Sequence, residues 1–525
     1  MKRCPECRRD YYDDTLLYCL DDGNALLEGP ASLLEPVTEI LGDFAVDGAE
    51  HLAGTRLLSN VSAVVTEDRA NAGSVAVLAF KNISSDAENE YFCDGLAEEL
   101  LNALAKIDGL NVAARTSAFS FKNEKVDIGA IGRKLGVSHV VEGSVRKAGN
   151  RLRVSVQLLN AADGYHIWSE TYDREMVDLF DLQDEITMSI VGALRLKLLG
   201  GEEKALLKRE TDNTEAYKAY LKGRYLRYAK NDHRGAAAAY EEAVGLDPSH
   251  APSWLGLAES YVLRAHYGMF VPREACSRAK EALEKARSIQ GETAEAFYIE
   301  GFSAFIERDW RSCDEAYRHS LSMDPNNSRA LGTYGIINSV LGRKDKAIEL
   351  FQRSREADPL AAYPYAMTGG GLLILREPGE CFPFLEQAMA FEKENSLALW
   401  TYSETCIALG KFDAGVESAE NAVRATKRAG FLVALLGWAL ACAGKTDEAK
   451  AILAELSERP AGSPTLVHEA CLLAVLGDKD AAFAMLSQAA DELAPMACYV
   501  GLPCFDSLRD DPRFDAMVKR LSLPQ

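Results

Sequence analysis

One pattern recurs about every 34 residues between positions 213 and 490, and it constrains this chain more than any other feature. The clearest copy spans residues 328–359, with Leu331, Tyr334-Gly335, Gly342, Ala347, Phe351 and Pro359 at offsets 4, 7–8, 15, 20, 24 and 32. Pro325 closes the copy before it, one period upstream of Pro359. Large residues at offsets 4, 7 and 24 lie on the faces of two short helices. Small residues at 8, 20 and 27 let those helices approach closely, and proline, lacking an N–H donor, ends the second helix.

Eight copies stand in register. Tyr220, Gly223, Ala236, Tyr240, Ala243 and Pro248 mark the first; Trp254, Leu257-Ala258, Tyr261, Ala279, Leu283 and Ala286 mark the second, around an insertion at 267–272. Phe297, Gly301, Tyr317 and Pro325 carry the third, and residues 328–359 are the fourth. The remaining four are carried by Tyr365, Gly369 and Leu385, by Leu399, Tyr402 and Gly410, by Gly437, Gly444 and Ala449, and by Leu466, Ala470, Gly477 and Ala482. The array resembles the tetratricopeptide repeat (TPR). That resemblance implies an all-α right-handed superhelix over 213–490, with 491–525 as a C-terminal capping segment.

In such an array the concave surface comes mostly from the first helix of each pair. Offsets 2, 5 and 9 of that helix place Tyr217, Tyr220 and Arg224, Tyr298 and Phe302, Arg329 and Ile336, Tyr363, Trp400, Phe431 and Trp438 toward the groove. Tyr, Trp and Arg anchor protein interfaces, so these residues are the candidate contacts for a protein or peptide partner. The competing reading is that the rings fill gaps between repeats. The Lys/Asn set by which some TPR proteins grip a terminal carboxylate is not matched, and Arg329 is its only near candidate.

Composition narrows the function class. At 525 residues the chain has room for several domains, and 48% hydrophobic content can fill large cores. A net charge of −21 speaks against wholesale nucleic-acid binding, because phosphate contacts need a basic face. The start Met1-Lys2-Arg3-Cys4 has no apolar core of a signal peptide, and the apolar run 431–444 is too short to span a bilayer. Most of the twelve cysteines are scattered singly, which suits a reducing cytoplasm.

Residues 1–28 carry the knuckle Cys4-Pro5-Glu6-Cys7, then Cys19 in Tyr18-Cys19-Leu20-Asp21-Asp22-Gly23. Zinc prefers four tetrahedral ligands, and two C-x-x-C knuckles supply them; here Asp22 stands where the fourth cysteine would be. The segment resembles a short zinc ribbon. One zinc ion would sit on Cys4, Cys7 and Cys19, with Asp22 or water completing the site; a degenerate ribbon without metal is the competing reading. Residues 29–72 have weak periodicity and read as a linker, with a short helix near 52–58.

Residues 73–200 read as a separate α/β domain. A β-rich run at 74–80 precedes a helix from about Cys93, a strand at 110–115, a helix at 128–135 stopped by Gly136, a hairpin of 139–146 with 152–159, a strand at 165–172 and a closing helix. The stretches SVAVLAFKNISSDAENEYFCDGLAEELLNALAKI, VAARTSAFSFKN and IGRKLGVSHVVEGSVRKAGNRLRVSVQLLNAADGYHIWSETYDRE resemble the TolB-like amino-terminal domain. The resemblance implies a non-catalytic module, often joined to a DNA-binding, kinase or nucleotide-cyclase domain. The chain is thus expected to be multidomain: zinc ribbon, TolB-like α/β domain, TPR superhelix.

Enzyme motifs fail on inspection. Gly444-Lys445-Thr446 imitates a P-loop end, but Ala439 stands where its first glycine must be. His468-Glu469 lacks the second histidine of H-E-x-x-H, since Leu472 holds that position, and reads as an exposed helix face. Gly369-Gly370-Gly371 falls at a close-packing offset, and Glu142-Gly143-Ser144 lacks the glycines of a nucleophile elbow. The expectation is therefore a non-enzymatic scaffold. The alternative is a regulatory subunit of a nucleotide cyclase, kinase or transcription regulator whose output domain lies on another chain.

Overall fold

A computed structural model gives the fold; it describes residues 73–84, 89–107, 109–122, 124, 126–175, 179–194, 211–458 and 466–523, with three short strands before them. The chain forms two compact units, residues 1–65 and 66–525. In the first, β1 (Lys2–Arg3) pairs antiparallel with β2 (Asp10–Tyr11) and β3 (Leu27–Glu28). Cys4, Cys7, Cys19, Asp22 and the helix expected near 52–58 lie outside the described residues.

The second unit opens with a six-stranded mixed sheet. Its path is β6 (Asn111–Val112), β4 (Ser74–Val77), β7 (His139–Ala148), β8 (Arg151–Asn160) and β9 (His166–Glu175), with β5 (Lys81–Asn82) also on β7. The first three contacts of β4 and β5 are parallel, while β7, β8 and β9 run antiparallel. In β8, Leu152, Val154, Val156 and Leu158 face the core and alternate with polar residues, the period of a half-buried strand. Helices α1 (Glu90–Leu104), α2 (Arg115–Phe119), α3 (Ile128–Leu135) and α4 (Leu179–Ala193) complete this part. Gly136 ends α3 in the left-handed conformation that favours glycine. The strand expected over 110–115 stops at Val112, and α2 begins at Arg115. The reason is tertiary: the Ser117 N–H and hydroxyl both donate to Asp358 Oδ1, at 3.1 and 2.5 Å, which draws the segment off the sheet.

Among the described residues, eight helix pairs follow. They are α5 (Thr214–Tyr228) with α6 (His233–Leu246), α7 (Ala251–His266) with α8 (Pro272–Gln290), α9 (Ala294–Glu307) with α10 (Trp310–Met323), and α11 (Ser328–Val340) with α12 (Lys344–Ala357). Next come α13 (Ala362–Ile374) with α14 (Phe382–Phe391), α15 (Ser396–Ala408) with α16 (Phe412–Ala425), α17 (Gly430–Cys442) with α18 (Thr446–Ser457), and α19 (Leu466–Val475) with α20 (Lys479–Asp491). Asn213, Asp232, Thr293, Asp309, Asn327, Asn395 and Asp478 accept N–H bonds in the first turns, so the polar residue before each of these helices is its N-cap.

The small and large positions of the repeat meet in space. A Cβ on Gly223 or Gly256 would run into the Tyr240 ring, one on Gly301 into Tyr317, one on Gly335 or Gly371 into Phe351, and one on Gly369 into Leu385. Gly369-Gly370-Gly371 is therefore a packing surface within α13. Gly444 takes a positive φ in the turn between α17 and α18; Lys445 is the N-cap of α18 and Thr446 its first residue.

The segment after α20 does more than seal the last pair. Its 3₁₀ turns, Pro495–Cys498 and Pro503–Leu508, lead to α21 (Pro512–Arg520), which packs on α20. Between the turns Tyr499 reaches the rings of His266 on α7 and Phe305 on α9, 5.9 and 6.1 Å away. Arg376 donates to Asp506 at 2.6 Å, Trp310 Nε1 donates to the Ser522 carbonyl at 2.7 Å, and Gly501 lies so close to Ile374 that a Cβ would strike its carbonyl. The C-terminal segment thus returns across the array to its second, third and fifth pairs.

Candidate functional site

The first helices α5, α7, α9, α11, α13 and α15, with Phe431 of α17, line one cavity of about 900 Å³. Thr116 of α2 and Tyr499 and Leu502 of the C-terminal segment also face it, so both flanking regions contribute to its wall. Tyr298, Phe302, Arg329, Ile336, Tyr363, Trp400 and Phe431 meet there, as the offsets of the repeat expect. Most of these rings are also packed. Trp400 sits edge-to-face on Phe431 at 5.7 Å, and Tyr298 on Tyr317 at 6.1 Å. The two readings of the aromatic set are therefore not exclusive, because one side chain serves as wall and as filler.

Four expected groove residues are elsewhere. Tyr217, Tyr220 and Arg224 of α5 are covered by the α/β domain. The Tyr217 ring lies edge-to-face on Phe180 at 5.0 Å and its hydroxyl accepts from Gln183 at 2.6 Å, while Arg224 donates to Tyr220 at 2.8 Å and pairs with Glu98. A repeat array leaves the apolar face of its first helix open, and here α1 and α4 cover that face. Trp438 is 1% exposed and faces the packed interior of α17, since α17 is apolar all round and its groove offset cannot be told from its core offset.

Electrostatics single out one side of the cavity. Arg227 Nη2 donates to Glu259 Oε1 at 3.1 Å, and the Tyr228 hydroxyl donates to Glu259 Oε2 at 3.4 Å. Burial alone would raise the Glu259 carboxyl, but Arg227 and Arg329 outweigh it and hold the group below its usual range. Burial pushes His266 down to about 4 and His233 well below 6.5, so both cavity imidazoles are neutral near pH 7. Arg329 is different. Its guanidinium lies over the Tyr228 and Tyr363 rings, 4.7 and 5.3 Å from their centres, and acts on Glu259 without an ion pair at contact distance among the described residues. The Tyr363 hydroxyl is itself fixed by Thr333 Oγ1 at 2.8 Å.

Sequence reasoning missed Arg227, Tyr228, Tyr267 and Tyr499 as wall residues. Tyr267 stands in the insertion that breaks the second copy, and Tyr499 lies beyond the last copy, so no periodicity could mark either. His468, read as exposed, is 1% exposed and accepts or donates at Glu404 Oε1, 3.2 Å away.

Residues 70–189 match the family model described as HilA/YgeH-like transcriptional regulator, second domain. A protein named putative adenylate cyclase 3 of Rhizobium meliloti (strain 1021) is 40% identical over 187 residues, which is 35% of this chain and 32% of that protein. The transcriptional regulator HilA of Salmonella typhimurium is 21% identical over 260 residues, 48% of this chain and 46% of its own. The chain thus spans about a third of one of these curated relatives and under half of the other. Among solved structures, YrrB, titled a TPR protein with an unusual peptide-binding site, aligns at 23% identity over 36% of this chain and 92% of its own, with a TM-score of 0.23. The TPR-like architecture rests on the helix pairs themselves. No helix among the described residues is long and apolar enough to cross a membrane.

Proposed function

We propose that this chain is a non-enzymatic adaptor whose cavity takes an extended segment of a protein partner, with Arg329 engaging a carboxylate on that segment. The observation that carries the reading is the Arg329 guanidinium, set against two tyrosine rings at the wall of a 900 Å³ cavity, with buried Glu259 acting on it only from beyond ion-pair distance. A planar guanidinium binds carboxylates bidentately, and aromatic walls supply contact area at low entropic cost. The same reading places the protein in the cytoplasm, takes the α/β domain as TolB-like, and gives Cys4, Cys7, Cys19 and Asp22 one zinc ion. A second reading, favoured by the names of the relatives, is a regulatory chain acting on a nucleotide cyclase or transcription regulator carried elsewhere.

Selection of displayed peptides on the full chain tests this. Enriched peptides should combine large apolar residues with an acidic side chain or a free C-terminus. Their affinity should fall at least about tenfold, or about 1.4 kcal/mol, on Arg329→Met, which keeps the contact with both rings. Peptides that bind the wild type and Arg329→Met alike would remove the guanidinium from recognition.

A further inference from the structure

Behind the Trp400 wall lies a second cluster, separate from the cavity. Glu404 of α15, His468 of α19 and Cys504 of the Pro503–Leu508 turn each present a donor atom, and the three atoms lie within 4.8 Å of one another. All three residues are at most 1% exposed. His468 Nε2 stands 3.2 Å from Glu404 Oε1. Two ligands on tetrahedral zinc are separated by about that distance, since bonds of roughly 2.0–2.1 Å at the tetrahedral angle span about 3.3 Å.

The surroundings fit an ion better than they fit bare side chains. Glu404 Oε1 accepts from Trp400 Nε1 at 2.7 Å, the kind of outer hydrogen bond that orients a ligating carboxylate. Glu404 Oε2 is buried with no hydrogen-bond partner among the described residues, an arrangement that is costly for a carboxylate left to itself. Cys471, three residues after His468 and on the same helix face, adjoins Cys504. One divalent ion with a carboxylate, a thiolate and a neutral imidazole is also charge-neutral, which a buried site requires.

We infer that Glu404, His468 and Cys504 form a structural zinc site that fastens the C-terminal segment to the sixth and eighth helix pairs. Thiolate and imidazole donors select a borderline-soft ion such as zinc over calcium or magnesium. The site has no role in turnover. It holds the Tyr499 segment against α7 and α9, and so fixes one wall of the cavity.

The test uses the full chain with Cys4, Cys7 and Cys19 changed to serine, so that the N-terminal thiols contribute nothing. Purified under reducing conditions without a metal-affinity tag, it should carry about one equivalent of zinc by elemental analysis. Cobalt(II) exchanged into it should show a thiolate-to-metal charge-transfer band. Both should vanish on Cys504→Ser and on His468→Gln. Should those variants fold poorly, chelation of the Cys4/Cys7/Cys19→Ser protein supplies the second readout: its melting temperature should fall and recover on adding zinc. Less than about a tenth of an equivalent of zinc with no cobalt–thiolate band would overturn the inference and leave only the Glu404–His468 hydrogen bond. One equivalent that survives Cys504→Ser in the folded protein would also overturn it.

Discussion

Arg227→Met should lower the unfolding free energy by about 3–5 kcal/mol, the usual cost of removing one partner from a buried ion pair. The Arg227 and Glu259 side chains are 6% and 3% exposed, and their nitrogen and oxygen are 3.1 Å apart. Without the guanidinium, Glu259 keeps only the weak hydrogen bond from Tyr228 and the more distant Arg329. The loss therefore comes from stranding a charge, not from losing an attraction. For that reason the double variant Arg227→Met/Glu259→Met should recover most of the loss, because two apolar side chains of similar length remove the desolvation penalty altogether. Urea unfolding followed by circular dichroism measures both. A single variant within about 1 kcal/mol of wild type would mean that the pair is solvated.

Trp438→Ala should cost about 3–5 kcal/mol, as large-to-small changes in a packed core do. Trp438 is among the largest fully buried side chains, in a helix where ten of thirteen residues are buried. The same substitution should leave the affinity of the folded fraction for a cavity-binding peptide unchanged, because Trp438 does not line the cavity. Trp400→Ala is expected to behave differently. Trp400 lines the cavity and also donates to Glu404, so it should lower stability and affinity together. Equal effects of the two tryptophans on affinity would place Trp438 at the binding surface after all.

How much was legible in the sequence follows from which forces leave a periodic trace. Helix pairing does: Gly335 against Phe351 and Gly301 against Tyr317 recur at fixed offsets because each pair solves the same packing problem. The cavity wall was legible for the same reason at Tyr298, Arg329 and Tyr363, which sit on equivalent faces of successive first helices. Contacts between different parts of the chain leave no such trace. Arg224 looks like a groove residue by offset, and only the docking of α1 shows that it pairs with Glu98, 126 positions away. Ser117 and Asp358 are 241 positions apart, and neither occupies an offset that the repeat marks. Cys504 and His468 likewise look like isolated residues until the C-terminal segment folds back beside α15 and α19.

Site-specific photo-cross-linking in the native cell tests the cavity most directly. A benzophenone amino acid at Ile336, in the cavity wall, is compared with one at Ile348, which is 39% exposed on the second helix of the same pair. The expected result is a discrete partner adduct from position 336, lost when Arg329→Met is added, and none from position 348. Adducts from position 348 with none from 336 would contradict binding through the cavity.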